Sequence, residues 1–406
     1  MIAGAGITNS TDFDAGFKRN YNDGTDAMKV QQNLNAKLWS LFEVSPLKPS
    51  GQGLYTPIVM QGNETAGSIW ENEGFPDPDP IVPVQPVIYS KTFVSPFQVT
   101  GKSIDLSASD KVAFARSLDS QQKDNMGRSL SGLNRQAMGT GTGQVTLANG
   151  AGSASTSLVV DDPHAFRVGM YVDIWTAVAG TKQVAGIKIN TVNLSTKTLT
   201  LASAQTWSDN SIVVMRGAFD GATSTSYKEM MGFRGIADTS TYSTTFEGQS
   251  VTTYPQWQGN VIAAGNVPVS QDLLQQSINR SAIIGDDVPD TLLSNYGQAR
   301  TYINQEIAKT EYEPGEIKGG NITLQWGNLK WLVNPTYPIG EIGFMVKKGI
   351  NKFQVRDLHI SDLPGQTLYQ IQGRHAIGGY YNYEGNIGTW KRNNQTRLTE
   401  LTEPTL

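Results

Sequence analysis

The spacing of apolar residues changes several times along this chain, and each change predicts a different element. Over Asp26–Phe42, Ala27, Val30, Leu34, Leu38 and Leu41 recur every three or four positions, the pattern of one apolar helix face. Asp26 can cap its start, and Ser45-Pro46 stops it because proline cannot continue a helix. Residues 48–106 read differently. Gly51, Gly53, Gly62, Gly67 and Gly74 punctuate strand-like runs such as Leu54–Met60. Phe75-Pro76-Asp77-Pro78-Asp79-Pro80, Pro83 and Pro86 then interrupt a valine-rich stretch. Proline confines strands to edges or isolated hairpins, so this segment predicts an extended β-excursion, with Phe93–Val99 as its returning strand.

Ser107–Met138 carries the longest helical period, through Val112, Ala115, Leu118, Met126, Leu130, Leu133 and Ala137. At ~1.5 Å per residue it predicts a rod of roughly 45 Å. Gly127 and Gly132 weaken it as a free helix, so packing must support it, and Gly139–Gly143 ends it. Between residues 144 and 217 come six short β-type runs: Val145–Leu147, Ser157–Val160, Met170–Trp175, Val184–Val192, Thr198–Leu201 and Ile212–Met215. Their regular spacing predicts a small β-barrel or sandwich, with a turn and a short helical piece over Asp162–Gly169. Beyond residue 218 the pattern is mixed. A helix is expected from Ser270 to Ile284, a buried strand at Thr291–Leu293, and a second helix capped by Ser294 and running to Ala308. Strands are expected at Ile322–Trp326, Leu329–Val333 and Glu341–Val346, and over the tyrosine-rich stretches Thr367–Arg374 and Gly378–Trp390.

Composition sharpens this picture. Only 17% of the 406 residues are charged, so a monomer with this surface would be prone to associate. Cysteine is absent, which excludes disulfides, thiolate metal sites and cysteine nucleophiles. The net charge is −4 and no run of Lys and Arg occurs, which argues against tight, charge-driven binding of nucleic acid. No secretory signal or membrane-spanning run is visible, so synthesis in the cytosol is expected. The first 24 residues are rich in Gly, Asn, Asp and Thr, yet carry Phe13, Phe17 and Tyr21 at four-residue spacing. They read either as a flexible tail or as an arm laying aromatics on another subunit.

Catalytic patterns fail one by one. His164, His359 and His375 lack a histidine partner at the spacing of a zinc helix. Thr100-Gly101-Lys102-Ser103 resembles the end of a phosphate loop, but Pro96 stands where its first glycine belongs. The acidic pairs Asp77/Asp79, Asp161/Asp162, Asp286/Asp287 and Glu311/Glu313 lie in turn sequence, where carboxylates serve solvation and turn geometry. No catalytic residue, cofactor or metal is assigned. Tryptophans read as core and interface anchors, with sugar platforms of a carbohydrate-binding or adhesin-type β-protein as the alternative. A hydrolase of unrecognised type is a third reading.

The order of parts is the most informative feature: arm and helix, long Gly/Pro-rich excursion, one long helix, then α/β segments and a β-rich end. That order resembles the tailed-bacteriophage major capsid proteins of the Hong Kong 97-type coat fold. The resemblance implies an α+β fold with an N-terminal arm and helix (1–47) and an E-loop (48–106). The spine helix of a P domain (107–143) follows, then an inserted β-domain (144–217), with the A domain and the rest of P over 218–406. Asp272–Ala308 resembles the family's A-domain unit, and Phe166–Ile174 resembles β-barrel insertions of some phage coats. The implied function is a non-enzymatic coat protein forming hexamers and pentamers of an icosahedral virion shell around double-stranded DNA. Assembly would occur in the host cytoplasm. Implied partners are other copies of the chain, together with portal, scaffolding and decoration proteins, and DNA touched weakly and non-specifically; no membrane is involved. The helix starting near residue 26 implies that scaffolding is a separate protein or absent. Leu54, Ile58, Ile69, Trp70, Phe75, Val87 and Ile88 of the excursion, with Phe13, Phe17 and Tyr21 of the arm, are then the expected intersubunit contacts.

Overall fold

The structure is a computed structural model that describes residues 37–49, 51, 53–102, 111–177, 180–219, 227–309, 325–327, 329–362 and 365–403. Phe13, Phe17 and Tyr21 therefore lie outside the described residues, as does most of the helix expected over Asp26–Phe42. The part of that helix which is described is a short 3-10 turn, Trp39–Leu41. The cause lies far along the chain: the amides of Leu38 and Trp39 donate to Oδ1 of buried Asn134, at 2.9 and 3.1 Å, instead of to helical carbonyls.

Strands dominate. One sheet is organised around the 14-residue strand Ala376–Thr389, which pairs antiparallel with Ile350–Ile360 on one side and with Lys91–Thr100 on the other. Lys91–Thr100 extends the expected returning strand and forms a sheet edge, the position that tolerates Pro96 with its missing N–H. The long helix is described over Lys111–Ala137 and crosses this sheet. Asn125 grips Ser95 through two hydrogen bonds (2.6 and 3.1 Å), and Tyr381 donates to the Gln122 carbonyl at 3.2 Å. Gly132 lets Phe93 lie against the helix: a Cβ there would stand 3.1 Å from the ring.

A second sheet of six strands runs in the order Asn260–Val267, Thr396–Leu401, Ile342–Met345, Thr291–Ser294, Leu329–Val333, Gln325–Trp326. Gln271–Gly285 and Tyr296–Lys309 are its helices. Ser270 caps the first of these, accepting from the Leu273 amide. The second cap is corrected: Asn295, not Ser294, accepts from the Gln298 amide at 3.0 Å. Ser294 is held instead by the Trp331 indole, which donates to its hydroxyl at 2.7 Å. One core cluster joins Leu38, Leu133, Phe233, Trp257, Tyr337 and Tyr383 between the sheets.

Residues 144–215 form the third unit, with strands close to the six predicted runs. Their hydrogen-bonded order is Gln144–Leu147, Ile212–Met215, Tyr171–Trp175, Lys182–Asn193, Thr198–Trp207, Gly152–Val159. The ends meet through an Ala148–Val160 bridge flanked by bonds from Asn149 to Val159 and from Asp161 to Leu147, so the unit closes as a barrel. Closure removes the free edges that a sandwich would expose. Leu158, Val172, Ile174, Ile189 and Leu199 fill its core. The short helical piece expected over Asp162–Gly169 is a pair of turns instead; Asp162 accepts from the His164 amide at 2.9 Å, fixing the first. In the last β-rich stretch only Tyr369–Gln370 of residues 367–374 is a strand.

Candidate functional site

The groups whose residue types suit chemistry are engaged in structure. His164 Nδ1 lies 2.9 Å from Asp162 Oδ1, and that hydrogen bond holds the imidazole pKa above its ordinary value. Gly101 and Lys102 are helical, and His375 packs on Gly101, where even a Cβ would stand 2.4 Å from the ring. Among the described residues no group of three or more His, Asp or Glu is arranged to hold a metal. Asp287 is bound by Lys391 at 2.7 Å, which holds its carboxyl below the usual range, while Asp286 ends a helix in the left-handed conformation. Glu311 and Glu313 lie outside the described residues.

The buried charges missed by sequence reading are also structural. Arg392 is 2% exposed; it donates to the carbonyls of Gly235, Ile236, Asp238 and Trp257 and lies 4.0 Å above the Phe246 ring. Burial pulls its pKa down to about 10, still protonated at neutral pH. Burial likewise opposes the charge on Arg397, but Glu341 and Tyr242 outweigh it and hold its pKa up. These arginines tie loop carbonyls and carboxylates of one chain together; nothing about them opens to a substrate.

What remains open is the β-excursion. It leaves the body as two short ribbons, Gly53–Tyr55 with Val87–Tyr89 and Ile58–Gln61 with Val82–Val84. Its base is tightly seated. Ile88 is 1% exposed and presses on Gly388, where a Cβ would stand 2.5 Å from its Cδ1. The Val87 amide donates to the Glu247 carbonyl at 2.8 Å, Asn386 donates to the Tyr89 carbonyl, and Gln256 to that of Met60. Ile58, Met60 and Val84 join the central core cluster. Ile88 was expected to reach another subunit; it is spent in its own chain because strand pairing at the base points it at Gly388. Leu54 and Val87 are half-buried.

Residues 62–81 beyond the second ribbon have no strand or helix, only a turn in which the Trp70 amide donates to Glu73 at 2.7 Å. Here Trp70 is 84% and Phe75 89% exposed, with Ile69 and Ile81 also open. A large aromatic normally buries most of its surface, so two this exposed on one loop are the least satisfied apolar groups of the excursion. The barrel's tryptophans, Trp175 and Trp207, are by contrast both buried.

No family model matches the sequence, and no curated protein matches it. Solved structures do. The capsid of cyanophage A-1(L) matches over 94% of this chain and 97% of its own, at 8% identity and a TM-score of 0.60. The capsid of a native GTA particle matches over 94% and 95%, at 7% identity and a TM-score of 0.48. The capsid of Myoviridae phage XM1 matches over 94% and 97%, at 6% identity and a TM-score of 0.48. With sequences this divergent, the cyanophage match speaks for the architecture alone, and it spans nearly the whole of both chains. The chain has the Hong Kong 97-type capsid fold, the one implied by an excursion, a long helix and α/β segments in that order.

Proposed function

We propose that this chain is the major coat subunit of a tailed-phage capsid, and that its function is geometric rather than catalytic. Copies associate into rings of six and five, and these close an icosahedral shell around double-stranded DNA. The observation that carries this reading is the tip of the excursion, with Trp70 and Phe75 uncovered on a chain of capsid fold. Leu54, Ile58, Ile69, Trp70, Phe75 and Val87 form the excursion's contact surface, and Phe13, Phe17 and Tyr21 a second one on the arm. Contact with packaged DNA is weak and non-specific, in keeping with a net charge of −4. Portal, scaffolding and decoration proteins are the further partners of such a shell, the virion capsid is its location, and assembly takes place in the host cytoplasm.

The test is electron microscopy of the expressed chain beside a variant lacking residues 62–81. Intact chains should give closed shells or rings. The deletion, which spares Met60 and Val84 in the core, should give soluble, folded subunits that never close. Normal shells from the deleted chain would overturn the proposal.

A further inference from the structure

The base of the excursion is held by a hairpin from far along the chain. Thr245–Phe246 and Gln249–Ser250 pair antiparallel around a two-residue turn, Glu247-Gly248, in which both residues take positive φ (49° and 79°). Gly248 suits that conformation and has nothing within 4 Å of where its Cβ would be. Glutamate is not among the residues that favour it, so Glu247 is kept there by its surroundings. Its backbone carbonyl accepts from the Val87 amide at 2.8 Å, and Gln249 of the same hairpin donates to the Gln85 carbonyl at 3.1 Å. Its side chain reaches into the body, where Oε1 accepts from the Thr389 amide at 3.3 Å. Gly388 makes the room: a Cβ there would stand 2.9 Å from that Oε1 and 2.5 Å from the Ile88 Cδ1. The carboxyl and the apolar residue that seats the excursion therefore share one slot.

Oε2 of Glu247 is buried and has no hydrogen-bond partner. Ile88, Gly388 and the Thr389 amide face the carboxyl, and the charge whose field reaches it is that of Arg392. That guanidinium is itself committed to four backbone carbonyls and the Phe246 ring. An anion in this slot would be buried with one long hydrogen bond, which costs far more than burying the neutral acid. Burial accordingly pushes the carboxyl up to about 8, and at neutral pH the slot holds the acid. We infer that residues 245–250 are a proton-held clasp on the base of the excursion. The hairpin lies closed on Val87 while Glu247 is neutral, and it lifts, releasing residues 85–88, when the carboxyl ionises and moves to solvent. The route out is short, since Gly248 beside it is exposed. The clasp is a property of the single subunit. In a coat subunit it would set the pH at which the excursion is free to be placed, and that consequence alone rests on the reading above.

Hydrogen–deuterium exchange on the unassembled full chain tests this, read as protection factors so that the pH dependence of the chemical exchange step is removed. Each unit of pH between about 5 and 8 should lower the protection of the Val87 amide about tenfold, because opening releases the one proton that the closed hairpin holds. Above about 8 the closed hairpin loses that proton too, and the profile should level off. In Glu247→Gln, which keeps the neutral shape, protection should stay high and flat over the same range. Amides of the barrel strand Tyr171–Trp175 are the internal reference and should hold steady in both chains. A flat Val87 profile in the unsubstituted chain would overturn the clasp, as would an equal fall in Glu247→Gln. Equal losses at Val87 and in the barrel would overturn it too, since the whole subunit would then be loosening together. The unsubstituted profile and its barrel reference decide the matter even where the variant fails to fold. None of these outcomes depends on shells forming, so failure of the clasp and failure of the coat-subunit reading are told apart.

Discussion

The barrel and the tip of the excursion make opposite uses of a similar vocabulary. Both are built from short apolar runs broken by Gly, Asn and Asp. In residues 144–215 the inner strands pair on both sides, the two end strands meet at the Ala148–Val160 bridge, and Leu158, Val172, Ile174 and Leu199 are fully buried. In residues 62–81 no ladder forms, and Trp70 and Phe75 are the most exposed large hydrophobic side chains among the described residues. The barrel's apolar residues stabilise the subunit that carries them. Those of the tip stabilise nothing in their own chain, because prolines and glycines withhold the backbone pairing that would fold the loop on itself.

Substitutions can break that comparison or sharpen it. The largest stability effect belongs in the barrel: Trp207→Ala should cost about 3–5 kcal/mol and lower the melting temperature measured by calorimetry, since its ring fills the space above Gly152. Gly388→Ala should cost about 1–3 kcal/mol by driving a methyl into Ile88, loosening the base from which the tip projects. Denaturant titration of the isolated subunit measures it. Trp70→Ala should change subunit stability by no more than about 0.5 kcal/mol yet sharply reduce shell yield. A large loss of subunit stability from Trp70→Ala would erase the contrast. Last comes Lys391→Ala at the partly exposed Asp287 pair, which should cost about 0–1 kcal/mol, less at high salt, and leave shell yield unchanged.

Proton linkage tests the base of the excursion separately. Burial pushes the Glu247 carboxyl up to about 8, outweighing the Thr389 amide that donates to it. The folded state therefore holds a proton that the unfolded chain releases near the ordinary carboxylate value. Its contribution is fully present below that value and is lost as pH rises through about 8. Glu247→Gln should flatten the decline in melting temperature between pH 5 and 8; an unchanged profile would show that Glu247 does not titrate there.

Much of this was legible in the sequence wherever the physics is local. Barrel strands follow from period-two runs bounded by turn residues, and the long helix from its 3.6-residue stripe. The tip was legible because prolines forbid it a sheet. Long-range partners were not. The expected first helix yields at Leu38 and Trp39 to a side chain from Asn134. Ser294 was read as a cap because its type suits one, but Trp331 claims its hydroxyl and Asn295 takes the role. The ion pair between Arg135 of the long helix and Glu229, far along the chain, left no mark at all. A search for basic runs finds neighbours in the chain, not neighbours in space.

The barrel's first and last strands, Gln144–Leu147 and Ile212–Met215, pair side by side, with Gln144 opposite Val214. Entry and exit of this long detour thus lie one strand spacing apart, and the joints at Gly141, Gly143 and Gly217 take the positive φ that such a tight doorway needs. At its two joints the barrel occupies no more of the chain's path than a hairpin turn would. The seam is thus a natural place to cut, and a cut there would also sever the hydrogen bonds from Arg167 to Ser131 and from the Ile339 amide to Asp162.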